Sequence, residues 1–182
     1  MENNLDGDSY RRQQLDNLCE RMIAYYAGDP KRIQHFLKVH SFARMIGDKE
    51  KLDDVTLFIL EAAAYTHDIG IKPAEAKYGK CDGKLQEQEG PIVAQKMLSE
   101  VGIENYMIER ICYLIGHHHT YDHVDGLDYQ ILIEADFLVN LYEDETNRKG
   151  IMQAYHKIFR TEIGKKLCCQ MFGIKEEPKE EY

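Results

Sequence analysis

The sequence predicts an all-α fold, a single-domain helical bundle, and three observations carry that expectation. Apolar residues recur at three- and four-residue steps through most of the chain. No stretch has the two-residue alternation of a half-buried strand. The 182 residues include only four prolines and thirteen glycines, too few for a loop-rich chain. With 43% hydrophobic and 30% charged residues the chain can bury one sizeable core, so residues 1–182 are read as one domain.

The elements follow in order. Leu15, Leu18, Met22 and Tyr25 mark a first helix over about 10–28, stopped by "GDP" at 28–30. That tripeptide also supplies a capping Asp29 and puts Pro30 at the first position of a second helix running to about residue 47. A third helix begins near Asp53 or Asp54 and ends at "HDIG", where Gly70 suits the left-handed position after a helix. Residues 72–88, "KPAEAKYGKCDGKLQEQ", read as mostly loop with room for one short helical turn. Helices resume over about 91–100, 104–118 and 128–142. A last pair near 148–162 and 163–172 packs through Ile151, Tyr155, Ile158, Leu167 and Met171, and 173–182 reads as a flexible charged tail. The sequence has no internal repeat.

Charge and composition exclude several classes of function. The net charge of −9, with lysines scattered rather than striped, argues against a nucleic-acid polymer as partner. No apolar run approaches the roughly 18 residues needed to span a bilayer, and the polar start "MENNLDGDSYRRQQ" lacks the apolar stretch of a secretory signal. A cytoplasmic protein without a membrane partner is the expectation. Cys19, Cys81, Cys112, Cys168 and Cys169 form an odd set without a C-x-x-C pair, which indicates neither a disulfide framework nor a thiolate zinc site.

Polar groups on the apolar stripes are the informative residues. His35 shares a helical face with Val39, Phe42 and Ile46; His67 shares one with Leu60, Ala63 and Ala64; Asp136 shares one with Leu132 and Val139. An ionised carboxylate in such a place costs several kcal/mol unless it is paired or bound to a cation. Glu134 falls off the stripe of Asp136 and reads as a solvated or capping carboxylate. In "LIGHHHTY", Met107, Ile111 and Leu114 put His118 on the apolar stripe, whereas His117 follows Arg110 and Tyr113 on a more polar face. His119, at the helix end, remains a second contact. Imidazoles and carboxylates are ligands for a divalent metal, and a bundle builds a metal site by converging such groups from several helices.

The order His35, His67-Asp68, His118, Asp136, with "RIQHFLKVHSFARMIG", "AAYTHDIG" and "IEADFLV" matching the helices that carry the ligands, resembles the HD superfamily of metal-dependent phosphohydrolases over about residues 30–145. The resemblance implies that His35, His67, Asp68 and Asp136 are the central metal ligands. It also implies that Asp68 bridges two ions in dinuclear members and helps to activate or orient the attacking water, which makes it the catalytic candidate. Dinuclear members place another histidine shortly before a glycine that opens the next helix, but "KLQEQEGPIVAQKML" has Gln86 there. One ion is therefore expected. Glu89 could serve in place of that histidine, or be a carboxylate at a helix N-terminus, and His118 with His119 would complete a second site. The donors do not distinguish Mn, Fe, Mg, Co, Ni or Zn. The substrate expected is a small anionic phosphate ester, a nucleotide among the candidates, with Lys72, Lys77, Lys80 and Lys84 in a basic loop able to close over it. Two other readings stay open: a metal- and nucleotide-binding regulatory module without turnover, and a diiron oxygenase of the same fold.

Overall fold

A computed structural model describes residues 7–175; residues 1–6, and most of the charged tail read from the sequence, lie outside the described residues. Nine helices and no strand are formed there: α1 (Gly7–Tyr25), α2 (Pro30–Lys49), α3 (Asp54–Thr66), α4 (Ile71–Tyr78), α5 (Gly83–Val101), α6 (Asn105–Ile115), α7 (Leu127–Glu143), α8 (Arg148–Lys157) and α9 (Glu162–Phe172). None of these helices is long and apolar enough to cross a membrane.

α3 is the axis of the bundle, packed against α1, α2, α6 and α7. Its last nine residues, Phe58 to Thr66, are all buried. The run Ala62-Ala63-Ala64 explains how: methyl side chains let four neighbours approach one helix from every side. Glu61 is the charged residue inside that stretch, and His40 Nε2 and Arg44 Nη1, each 2.9 Å from its Oε1, compensate it. The helix starts are fixed locally. Asp29 accepts from the Arg32 amide with Pro30 following, and Asp53 accepts from the amides of Val55 and Thr56.

The segment expected to be loop is mostly helix. α4 occupies 71–78, and α5 starts at Gly83, capped by the Asp82 side chain on the Leu85 amide, then runs through Pro91 instead of beginning there. Proline is tolerated because the residue before it is Gly90. The usual clash between the proline ring and the preceding Cβ is absent, and only one helical hydrogen bond is lost. The helix expected over 104–118 also ends early, α6 stopping at Ile115 and leaving His117, His118 and His119 in the turn that follows.

Gly70 is not left-handed either, with φ −71° and ψ −14°. Its role is close approach. A Cβ there would lie 2.5 Å from the Gln86 carbonyl oxygen, 2.8 Å from Gly90 N and 3.0 Å from Gly90 Cα, all backbone atoms that cannot rotate away. Gly70→Ala is therefore expected to force α4 and α5 apart and destabilise the fold by about 3 kcal/mol, a drop in Tm of about 6–12 °C. A thermal melt checks this; an unchanged midpoint would mean that the contact relaxes freely. Glu134, expected to be solvated or capping, is fully buried and does cap: its Oε1 accepts from Arg160 N (2.5 Å) and Thr161 N (2.9 Å) and its Oε2 from the Thr161 hydroxyl (2.5 Å), tying α7 to the start of α9. Met171 is 40% exposed, so the inner face of α9 is carried instead by Cys168 and Cys169.

Candidate metal centre

Three helices deliver four side chains to one point. His35 comes from the second turn of α2, His67 caps the C-terminus of α3 with Asp68 in the turn that follows, and Asp136 comes from the middle of α7. His35 Nε2 lies 3.2 Å from His67 Nε2, 3.2 Å from Asp136 Oδ1 and 3.5 Å from Asp68 Oδ2. His67 Nε2 lies 3.5 Å from Asp68 Oδ2 and 3.6 Å from Asp136 Oδ1. Ligands about 2.1 Å from one ion are about 3.0 Å apart at a right angle and about 3.4 Å apart at the tetrahedral angle. The five separations have the size of the edges of one coordination shell.

The far side of each imidazole is already committed. His35 Nδ1 donates to Glu143 Oε2 at 3.0 Å, and His67 Nδ1 donates to the Ala64 carbonyl at 2.9 Å. With both protons on Nδ1, two Nε2 lone pairs and two carboxylate oxygens face one another, four acceptors without a donor between them. A cation at that point would satisfy all four at once. Asp136 Oδ1 is buried without a hydrogen-bond partner among the described residues, as a ligand atom reserved for an ion would be.

The electrostatics of the metal-free chain say the same in terms of protons. Burial alone would lower the His67 pKa, yet Asp68 and then Asp136 outweigh it and hold the imidazole up at about 9. His35 is raised in the same way, burial being outweighed by Asp136 and Asp68. Burial would raise both carboxylates, but His67 and His118 pull Asp68 well below the usual carboxylate range, and His35 and His67 do so to Asp136. A proton stands in where a metal would neutralise the cluster.

Asp68 faces two ways. Its Oδ1 lies 3.6 Å from His118 Nε2, and one ligand atom from each of Asp68, His118 and His119 lies within 4.8 Å of the others. His118 is 1% exposed, donates through Nδ1 to the Ile115 carbonyl at 2.7 Å, and leaves Nε2 buried without a partner among the described residues. His119 Nε2 lies 2.9 Å from Gln86 Oε1, and Glu87 Oε1 accepts from the His119 and Thr120 amide and hydroxyl at 3.0 Å each. Burial, then the neighbouring His118, push the His119 pKa down to about 4, so it is a neutral donor at ordinary pH. The turn itself is pinned from α1, where the Tyr26 hydroxyl donates to the Asp68 carbonyl at 2.7 Å and that of Tyr25 to the Ile69 carbonyl at 3.2 Å.

Other residues singled out in the sequence lie elsewhere. Glu89 sits within α5, not at a helix start, and its Oε1 is taken by Lys77 Nζ and the Tyr78 hydroxyl, both at 2.9 Å. Lys72 turns back to the Tyr25 carbonyl, Lys80 pairs with Asp82 at 3.6 Å, and Lys84 is exposed on the first turn of α5. With 71–78 and 83–101 helical, Lys72, Lys77 and Lys84 stand on helices, and Lys80 lies in the short link between them. His117 donates to the Tyr113 carbonyl at 2.7 Å and stacks on the Tyr113 ring, away from Asp68. Sequence reasoning missed Glu143, which orients His35 and is itself held by Lys38 Nζ at 2.5 Å. Its signal was available: Glu143 follows Asp136 by seven residues, two turns along the same face of α7.

The chain is similar to a solved structure described as a predicted HD superfamily hydrolase from an uncultured Thermotogales bacterium, with 27% identity, a TM-score of 0.59, and coverage of 89% of this chain and 84% of that one. No curated protein is significantly similar to it. The model of the HD domain family matches residues 32–154, a span that begins just before His35 and includes the histidine-aspartate doublet, the histidine turn and Asp136. On that match, the chain belongs to the HD domain family.

Proposed function

We propose that this chain is a metal-dependent phosphohydrolase acting on a small phosphate ester. The observation that carries the reading is the convergence of four acceptor atoms on one point, with both imidazoles locked in the tautomer that presents Nε2 inward. His35, His67, Asp68 and Asp136 would hold a divalent ion, which supplies Lewis acidity toward a phosphoryl oxygen and toward water. His119 and Gln86 already satisfy each other, so one ion is the expected complement, and a second beside Asp68, His118 and His119 would have to break that contact. The same contact weighs against a diiron oxygenase.

The protein groups have separate tasks. Asp68 has 19% side-chain exposure, more than its three partners, so it is the carboxylate that can accept a hydrogen bond from an incoming water and aim it at phosphorus. Glu143 and the Ala64 carbonyl keep the imidazoles from turning, which fixes the site before substrate arrives. In the overall step the water oxygen forms a new bond to phosphorus, the ester P–O bond breaks, and the departing oxygen takes a proton to leave as the alcohol.

The test is hydrolysis of 4-nitrophenyl phosphate and of its bis ester by chelator-treated chain resupplied with Mn, Mg, Co, Ni, Fe or Zn. Turnover that vanishes in chelator and returns with one or more of these metals is expected. A chain that binds metal stoichiometrically yet hydrolyses neither these nor nucleotide or sugar phosphates would instead be a binding module.

A further inference from the structure

A cavity of about 280 Å³ opens beside the metal centre, with His35 and Asp68 on its wall. It lies between the start of α2, the end of α7 and the turn before α4, and reaches Lys31, Ile71, Asn140 and Asp144. We infer that this cavity selects the phosphomonoester of a small polyhydroxylated skeleton, a sugar or polyol phosphate, over a nucleotide. The inference rests on the phosphohydrolase reading above and names the substrate class for the same site.

Size is the first argument. Pockets that enclose drug-sized ligands run from about 300 to 1,000 Å³, and this one falls just under that range. The second is the wall. Ile71 is its single apolar side chain and no Phe, Tyr or Trp ring lines it; the His35 ring is 7% exposed, and the Arg32 guanidinium is tied to Asp29 and Glu75 with the Tyr26 ring against it, so a nucleobase would find no open face of the kind on which stacking is worth about 1–3 kcal/mol per base.

The third argument is which polar groups remain free. Asp29 on the wall is paired with Arg32 at 3.1 Å, Arg32 also with Glu75 at 2.6 Å, and Glu143 with Lys38 and His35. The side chains of Lys31, Asn140 and Asp144 have no hydrogen bond or ion pair among the described residues. Asn140 stands one helical turn beyond Asp136, on the face that carries the metal ligand. An amide, an ammonium and a carboxylate together offer donors and acceptors in the mixture that vicinal hydroxyls satisfy. Four carboxylates, Asp29, Asp68, Glu143 and Asp144, share this wall with two cations, Lys31 and Arg32, so a second phosphate group would meet net repulsion. One phosphate at the metal and hydroxyls at Asn140 and Asp144 is the occupant that fits.

The experiment compares kcat/KM of the metal-loaded chain for triose, pentose and hexose phosphates, glycerol 3-phosphate, AMP, ADP and 4-nitrophenyl phosphate, in parent and Asn140→Ala. At least one polyol or sugar phosphate should exceed AMP by tenfold or more, and Asn140→Ala should cut that ratio at least fivefold. A ratio taken on one preparation is independent of the fraction folded. A second readout uses no turnover: the side-chain amide signals of Asn140 in the Mg-loaded chain should shift on titration with the favoured ester and not with AMP. AMP hydrolysed as well as or better than every sugar and polyol phosphate would overturn the inference while leaving the phosphohydrolase reading intact. Failure to hydrolyse any ester would remove both and leave the metal centre standing.

Discussion

Asp68→Asn is expected to leave the helices folded while lowering metal affinity by at least about 100-fold and abolishing phosphatase turnover. The reasoning is local. Asparagine keeps the volume and the Tyr26 hydrogen bond, which goes to the Asp68 backbone carbonyl and not to its side chain. What disappears is the charge that faces His35 and His67 through Oδ2 and His118 through Oδ1. Loss of a group that merely orients a metal ligand already lowers affinity about 10- to 100-fold, and a direct ligand carries more. Circular dichroism separates loss of metal from loss of fold, and titration with Mn or Zn reads the affinity. Parent-like affinity in a folded variant would remove Asp68 from the ligand set.

The second large effect is on pH. Metal needs the Nε2 lone pair of His67, and in the metal-free chain that imidazole stays protonated up to about 9 because Asp68 and Asp136 outweigh the effect of burial. Binding must therefore displace a proton below pH 9. Affinity should rise about tenfold per pH unit between 7 and 9, about 100-fold in all, and then level off. His35, raised in the same direction, steepens the lower part of that curve. The stability of the metal-free chain should run the other way. A raised histidine pKa favours the folded state fully below the unfolded value of about 6.5, and that contribution is lost as pH rises through about 9. The depressed carboxylates contribute above about 4 and lose that contribution as pH falls below it. The melts of loaded and metal-free chain should thus diverge as pH rises from 7 to 9. A flat affinity over that range would show that the proton held on His67 is not the one the metal replaces.

Much of this centre was legible because helical phase is a strong signal where the apolar stripe is wide. His35, His67 and Asp136 each interrupt such a stripe, and an interruption of that kind needs a partner wherever the chain folds. The phase argument for His118 is a different case. It assumed a helix to residue 118, whereas α6 ends at Ile115; Gly116 nevertheless stays right-handed, with φ −73°, so the turn carries His118 on in nearly the same direction. Local composition misled where tertiary contact decides. The prolines and glycines of 72–88 read as a loop and Gly70 as a left-handed helix end, yet Gly70 and Gly90 are there so that two backbones can touch, and Gly90, which lacks a Cβ, also lets α5 run through Pro91. Glu143 looked like any charged residue at a helix end. Its role needs His35, 108 residues earlier, to be in place.

The most direct test of the metal centre is elemental analysis of the purified chain combined with its thermal midpoint in the presence and absence of chelator. About one divalent ion per chain is expected. An ion held at a free concentration about 1,000 times its Kd stabilises the folded state by about 4 kcal/mol, so chelation should lower Tm by about 8–16 °C. A chain that carries no stoichiometric metal after incubation with Mn, Fe, Co, Ni, Zn or Mg, and melts at the same temperature with chelator as without, would contradict it.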